Sequence, residues 1–91
     1  MIKSFKHKGL QLFFETGSAR GIRADQSRKI KHMLTYLNAI SDIDEIRNLW
    51  RCHQLKGDRS NVWSLTVSGN WRLTFEFNDG DVFILDYEDY H

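Results

Sequence analysis

The 91-residue chain contains no proline and a single cysteine, Cys52. A lone cysteine cannot form a disulfide within the chain, so a disulfide-stapled scaffold is excluded. No apolar run approaches the roughly 20 residues that cross a membrane, and the first residues lack the pattern of a signal peptide. These absences favour a cytoplasmic protein without a membrane partner.

Linker segments and internal repeats are also missing from the sequence. Hydrophobic residues make up 41% and aromatic residues 13% of it, which is typical of a chain that folds rather than one that stays disordered. Single domains usually span about 50 to 200 residues. We therefore expect one globular domain over residues 1–91.

The sequence has little net charge, +1, but its charges are segregated. Residues 1–32 carry eight Lys or Arg against two acids, residues 47–72 carry five against one, and residues 76–91 carry six acids and no Lys or Arg. A segregated basic surface is compatible with nucleic-acid binding, although a well-solvated surface with both signs interspersed gives the simpler explanation. Charge alone does not decide between these interpretations.

The first half of the sequence predicts helices. A short β-prone segment, residues 1–5, predicts an opening strand, and the apolar residues of segment 6–17 then share a helical face that ends at Gly17, a suitable C-cap. Apolar residues repeat at helical spacing from Asp25 to Ile40, with basic residues on the flanks and the outer face. Ser41 is the predicted N-cap of a further short turn.

The second half changes to the two-residue period of strands. VWSLTV (62–67) and WRLTFEF (71–77) alternate apolar and polar residues, and VFILDY (82–87) predicts a last strand that ends at Tyr87 or Glu88. NDGD (78–81) predicts a hairpin because Asn, Asp and Gly tolerate positive φ. The predicted fold is therefore α+β: a small antiparallel meander of three to four strands packed against N-terminal helices, with its other face partly polar.

Several reactive side chains are predicted to gather on that uncovered face. Arg72 alternates with the apolar residues of its strand and so points away from the core. The other candidates come from the segment before the strands and from the residues after the last strand: His53, Lys56, Arg59, Asp89, Tyr90 and His91. If the corresponding strand ends meet at one end of the sheet, these groups converge on one cleft.

This set of groups suits the cleavage of RNA. The reaction needs a base that removes the proton of the 2′-hydroxyl, an acid that protonates the departing 5′-oxygen, and positive charge on the phosphate. Histidine serves in either proton-transfer role near neutral pH, and Lys and Arg stabilise the phosphate charge. Because the 2′-hydroxyl is an internal nucleophile, the reaction requires no metal ion or other cofactor.

Other interpretations of the same residues stay open. His53, Asp89 and His91 have the composition of a two-histidine, one-carboxylate metal site, but no metal-ligand spacing supports it. Residues at chain ends are often disordered, and isolated exposed histidines are usually ordinary surface residues. The three tryptophans are expected to pack in the core or at its rim rather than to stack on bases.

Four stretches of the sequence together resemble a known family: MIKSFKHKGL (1–10), LKGDR (55–59), GNWRLTFEF (69–77) and DYEDYH (86–91). They are similar to the HigB toxins of bacterial toxin–antitoxin pairs, in the plasmid maintenance killer branch of the RelE and ParE superfamily. The resemblance spans essentially the whole chain. It implies a RelE-like microbial RNase fold and an enzyme that cuts messenger RNA in the decoding site of the ribosome, which stops translation and growth.

The resemblance also implies roles for individual residues. Four of them lie at catalytic positions of the family's motifs: His53, Asp89, Tyr90 and His91. Three basic residues are candidates for holding the RNA phosphate: Lys56, Arg72 and, less directly matched, Arg59. The motifs do not decide whether His53 or His91 is the base, and no cofactor is implied.

The implied partners are a helix-turn-helix antitoxin similar to HigA, the small ribosomal subunit and messenger RNA, with operator DNA contacted only through the antitoxin. Two other classes of function stay open. One is a toxin similar to ParE, which shares the fold and inhibits DNA gyrase by binding it. The other is a plain RNA-binding domain. His53 and the DYH segment (89–91) favour the nuclease, since a binding module has no use for paired proton donors.

Overall fold

A computed structural model describes residues 1–90. Over this range the chain forms helices α1 (Lys8–Thr16) and α2 (Ser27–Ala39) and three short 3₁₀ turns: Ala24–Gln26, Ile43–Glu45 and Gly57–Arg59. The strands are β1 (His53–Gln54), β2 (Val62–Ser68), β3 (Trp71–Asn78) and β4 (Asp81–Asp89). Neither helix in this range has the length and apolarity of a membrane span.

Helix α1 begins after a histidine and ends at a glycine. The His7 Nδ1 accepts a hydrogen bond from the Leu10 backbone N–H (3.0 Å), which satisfies one of the donors left unpaired at a helix start. Gly17 has φ +82° and donates its N–H to the Phe13 carbonyl oxygen (2.9 Å). The predicted C-cap is therefore confirmed, because glycine adopts this left-handed conformation most easily.

Helix α2 buries the predicted apolar stripe. Ile30, Met33, Leu34 and Leu37 are all buried in the core, as their spacing on one helical face requires. The helix begins at Ser27, two residues later than predicted, because the preceding residues form a 3₁₀ turn.

The short turn Ile43–Glu45 is capped by Asp42, not by Ser41 as predicted. The Asp42 carboxylate accepts from the Asp44 N–H (2.9 Å), and Glu45 accepts from the N–H groups of Ser41 (2.8 Å) and Asp42 (3.0 Å). The hydrogen bonds from Ser41 and Asp42 lower the pKa of Glu45. Two carboxylates thus satisfy donors that one hydroxyl could satisfy only in part.

The four strands form an antiparallel meander in the order β1-β2-β3-β4. This confirms the predicted α+β class. The β3–β4 hairpin turns at Asp79 (φ +51°) and Gly80 (φ +83°), as the NDGD segment predicts. The last strand pairs as far as Asp89, so the prediction that it ends at Tyr87 or Glu88 is wrong.

The N-terminal segment does not form the predicted opening strand. It makes two isolated parallel bridges to β4, from Ile2 to Val82 and from Phe5 to Leu85. The Lys6 backbone N–H also donates to the Leu85 carbonyl oxygen (2.9 Å). Residues 1–6 therefore run beside the edge of β4 and place Lys6 next to it.

The sheet separates a helical side from an open side. Leu65, Leu73, Val82 and Leu85 are fully buried in the core that the sheet shares with α1 and α2. Alternation along the strands sends their neighbours to the opposite face. That face, which we call the open sheet face, carries mostly polar residues: His53, Ser64, Thr66, Arg72, Thr74, Asp86 and Glu88.

Candidate active site

The open sheet face carries a shallow cleft of about 170 Å³. Its lining includes two cations and three carboxylates: Lys6, Arg59, Glu76, Asp86 and Glu88. Paired antiparallel strands expose alternate side chains on one face, which is why these polar positions of β3 and β4 meet. The 55–61 loop, which joins β1 to β2, adds Arg59 from above.

Arg59 ties this loop to the last strand. Its guanidinium donates to both carboxylate oxygens of Glu88, from Nη1 (3.2 Å) and from Nη2 (2.8 Å), and Nη1 also donates to the Tyr90 hydroxyl (3.3 Å). The side chain of Arg59 is 46% exposed and that of Glu88 is 22% exposed. Two parallel N–H···O bonds fix the orientation of the guanidinium as well as its position.

Glu88 also accepts a hydrogen bond from the Thr74 hydroxyl. Partial burial alone would raise the pKa of Glu88, but hydrogen bonds from Arg59 and Thr74, with the charges of Arg59 and Lys6, outweigh it and lower that pKa. The hydrogen bond to Glu88 raises the pKa of Arg59. Both groups are therefore charged at neutral pH, and their ion pair persists there.

Tyr90 and Arg72 are neighbours on the open sheet face. The Arg72 guanidinium carbon is 5.7 Å from the centre of the Tyr90 ring, a cation–π contact. Arg72 Nη1 donates to the carbonyl oxygens of Gly69 (2.7 Å) and Trp71 (3.1 Å). The structure thus brings three of the predicted residues into one group: Arg59, Arg72 and Tyr90.

His53 lies on the same face but at the far edge of the sheet. It pairs with Ser64 of β2, and Ser64 pairs with Thr74 of β3; directly opposed residues point to the same side. Since adjacent strands are about 4.8 Å apart, roughly 14 Å separates the backbones of β1 and β4. His53 therefore borders the open sheet face on one side and Tyr90 borders it on the other.

The ring of His53 is oriented by the main chain. Its Nδ1 lies 2.9 Å from the Arg51 carbonyl oxygen. A carbonyl oxygen only accepts, so Nδ1 carries the proton in this hydrogen bond. In the neutral ring Nε2 is then the atom with a lone pair available to take a proton.

Asp89 lies on the other side of the sheet from Tyr90. It pairs with Trp71 and shares the helical side with Tyr87, whose ring stacks on Trp71 at 4.5 Å. Arg23 lies 6.0 Å from the same Trp71 ring and interacts electrostatically with Asp89. The structure therefore does not bring Asp89 and Tyr90 together in one cleft.

The remaining predicted residues flank this geometry. Lys56 is exposed and precedes the 3₁₀ turn that carries Arg59. His91 lies outside the described residues, and with it the predicted approach of His53 to His91. Burial raises the pKa of the Cys52 thiol, which disfavours the thiolate that a nucleophilic cysteine needs.

Three residues of the cleft were not predicted as site residues: Lys6, Thr74 and Glu88. Alternation contained the signal for two of them, because Glu88 is two residues from Tyr90 and Thr74 is two residues from Arg72. Lys6 has no such signal, since it reaches the cleft only through pairing of the N-terminal segment with β4. Within residues 1–90, no group of three or more His, Cys, Asp or Glu side chains is arranged to hold a metal ion.

A larger groove, of about 240 Å³, lies between α1 and α2. Its lining is largely apolar and includes Phe13, Phe14, Leu34 and, as its cation, Lys31. None of the predicted acid–base residues lines it. We therefore place the candidate active site on the open sheet face.

The fold matches that of a solved bacterial protein. A crystal structure of a YafQ point mutant from E. coli has a TM-score of 0.63 to this chain, covering 98% of this chain and 91% of that one at 17% sequence identity. Such a match between distant sequences concerns the fold alone. It places the helices and the four-stranded sheet in a known architecture.

The sequence comparisons define the family. The family described as "RelE-like toxin of type II toxin-antitoxin system HigB" matches residues 3–91. The chain is also 50% identical over 92 residues to Endoribonuclease HigB from Proteus vulgaris, with 100% of each chain covered. The chain therefore belongs to the HigB-like toxin family, as its motifs predict, and a toxin of a type II system has an antitoxin partner.

Proposed function

We propose that this chain is an endoribonuclease that cleaves messenger RNA on the translating ribosome and thereby stops growth. The observation that carries the proposal is the 50% identity, over the full length of both chains, to a protein named Endoribonuclease HigB. The open sheet face supports it, because His53, Arg72 and Tyr90 supply proton-transfer groups and positive charge on one surface. A translated message as substrate places the activity in the cytoplasm.

The proposed reaction is attack of the RNA 2′-oxygen on the adjacent phosphorus. One histidine, His53 or His91, removes the 2′-hydroxyl proton; the P–O5′ bond breaks, and the departing oxygen takes a proton from the opposing acid. The orientation of His53 supports it as the base, because Nδ1 is held by the Arg51 carbonyl and Nε2 has the lone pair. The reaction uses no metal ion.

The other predicted residues assist this transfer. Tyr90 accepts from Arg59 and so keeps its own O–H proton for donation. Arg72 and Lys56 neutralise charge on the phosphate, with Arg59 as a further candidate. Asp89 orients the groups around it from the helical side of the sheet.

The proposed partners follow from the same activity. Cleavage of translated messages requires the small ribosomal subunit, whose RNA suits the basic outer face of α2 and residues 20–31. The antitoxin is proposed to be a helix-turn-helix protein similar to HigA. Operator DNA is then contacted only through that antitoxin.

A reconstituted translation system with a defined message tests the proposal. We expect primer extension to map new 5′ ends that depend on the ribosome, and His53→Gln and His91→Ala to lower the cleavage rate at least about 100-fold, the usual contribution of a general acid or base. His32→Gln is the matched control, since this histidine lies on α2 beside Tyr36 and Trp50. Growth arrest with intact messages would contradict the nuclease and favour gyrase inhibition.

A further inference from the structure

The position of Arg59 raises the question of what its guanidinium does at the site. A phosphate ligand needs its N–H groups available to the phosphate oxygens. In this structure, two nitrogens of the Arg59 guanidinium are directed at Glu88, and one of them also serves Tyr90. Arg59 is therefore used as an internal connector between the loop and the last strand.

Glu88 is in turn anchored from the sheet. The Thr74 hydroxyl on β3 donates to the carboxylate oxygen that also accepts from Arg59 Nη2. Glu88 is itself paired with Arg72 across the two strands. Its carboxylate therefore lies between the loop, β3 and β4, where a rigid acceptor fixes all three.

The loop that Arg59 belongs to needs such an anchor. Residues 55–61 are held near their ends, where the Leu55 N–H donates to the Val62 carbonyl oxygen (2.8 Å) and Gln54 Nε2 donates to the Ser60 carbonyl oxygen (2.6 Å). Arg59 supplies the link from this loop across β3 to β4. Lys56, the other cation of the loop, is exposed and shares the same short segment.

We propose that Glu88 is a positioning residue: its carboxylate holds Arg59, and through Arg59 it holds the 55–61 loop and the Tyr90 hydroxyl in the arrangement that the reaction requires. Arg59 is then an anchor of the site rather than a ligand of the RNA phosphate. This role rests on the proposed nuclease function. It accounts for a carboxylate in a cleft that would otherwise repel the phosphate.

Two substitutions separate an anchor from a phosphate ligand. Glu88→Gln keeps the size of the side chain but removes one of the two acceptors that the guanidinium fork needs. Arg59→Lys keeps the positive charge but removes the fork. Asp58→Asn is the matched control, because it removes one carboxylate from the turn that contains Arg59.

Amide hydrogen exchange and single-turnover cleavage are measured on the full chain for each variant. For Glu88→Gln and Arg59→Lys we expect faster exchange across residues 55–61 and cleavage about tenfold slower, with ribosome affinity unchanged. The double variant should cleave no more slowly than the worse single variant, because both changes break one unit. Asp58→Asn should behave as the wild type in both measurements.

The outcomes against this role are distinct from those against the nuclease. Wild-type cleavage by Arg59→Lys, multiplying effects in the double variant, or unchanged loop exchange in Glu88→Gln would each overturn the positioning role. A wild-type protein that does not cleave would instead contradict the nuclease, and the exchange data alone would then decide whether Glu88 anchors the loop.

Discussion

Ser64 and Thr74 are two buried hydroxyl residues that face each other across β2 and β3. The Thr74 hydroxyl donates to Glu88, whereas the Ser64 Oγ has no hydrogen-bond partner within residues 1–90. A buried polar group without a partner costs about 1–3 kcal/mol. The two positions therefore differ in energy although their chemistry and burial are similar.

We expect opposite effects when each hydroxyl is removed. Ser64→Ala should raise the free energy of unfolding by about 0.5–1 kcal/mol, because the lost methylene-sized contact offsets part of the relieved desolvation. Thr74→Val should lower it by about 1 kcal/mol, because Glu88 loses a donor. Urea denaturation at neutral pH measures both, and destabilisation of equal size in the two variants would contradict this account.

The DYEDYH segment marks the limit of what the residues could predict at this scale. Its family motif identifies residues 89–91 as one catalytic unit, but a strand sends Asp89 and Tyr90 to opposite faces. That divergence depends on β4 continuing through Asp89, which backbone pairing with Trp71 decides. Glu88 was predictable as a face-mate of Tyr90, whereas its bond to Arg59 depends on the path of the loop.

Among the structural elements, the β3–β4 hairpin has the tightest steric requirement. Gly80 has φ +83°, and a Cβ built on it would lie 3.2 Å from the Ser41 carbonyl oxygen. Gly69 in the β2–β3 turn also has positive φ (+54°), but a Cβ there would meet nothing within 4 Å. The hairpin therefore combines backbone strain with close packing on the segment after α2.

Substitution by alanine should separate these two costs. Gly69→Ala should lower the free energy of unfolding by about 1 kcal/mol, the cost of left-handed backbone for a residue with Cβ. Gly80→Ala should lower it by more, because the Ser41 carbonyl must also move. Chemical denaturation of both variants gives the difference, and equal losses would show that the close approach is relieved without cost.

Helices and hairpins were predictable because their signals are local, as the stripe of α2 and the NDGD turn illustrate. The register of β4 was not. Val82 and Leu85 are both fully buried although three residues separate them, and strict alternation would send them to opposite faces. A bulge opposite Thr74–Glu76, with Ile84 at φ +55°, inserts the extra residue. Such a bulge follows from packing between distant segments.

At the scale of the whole molecule, several carboxylates are stabilised by the fold. The pKa values of Asp25, Glu45 and Glu88 are all lowered in the folded chain, through hydrogen bonds and, for two of them, arginine partners. A group with a lowered folded pKa contributes stability above its unfolded pKa and loses it as pH falls through the folded pKa. Stability should therefore fall as the pH decreases below about 4.5, the ordinary value for Glu.

Thermal unfolding between pH 2 and 7 measures this acid limb of the stability curve. Glu88→Gln should make the limb shallower, and the contribution of Glu88 should be below about 1 kcal/mol because its partner Arg59 is partly exposed. Asp58→Asn is again the matched control and should leave the slope unchanged. An identical slope in Glu88→Gln would contradict the role assigned to this ion pair.

The alkaline limb should depend on two other groups. Burial raises the pKa of Tyr87 above 10.0 and that of Cys52 above 9.0, and the Tyr87 hydroxyl donates to the largely buried Gln26. A group with a raised folded pKa contributes stability below its unfolded pKa and loses it as pH rises through the folded pKa. Stability should therefore decline above about pH 9, first through Cys52 and then through Tyr87.

Tyr87→Phe and Cys52→Ala separate these contributions. Tyr87→Phe should lower the free energy of unfolding at pH 7 by about 1–2 kcal/mol, because Gln26 loses its donor, and it should flatten the decline above pH 10, because no phenol remains to ionise. Cys52→Ala should flatten the decline between about pH 9 and 10 instead. Chemical denaturation under reducing conditions from pH 7 to 11 measures both, and an unchanged alkaline limb in Tyr87→Phe would show that the phenol is not held neutral by the fold.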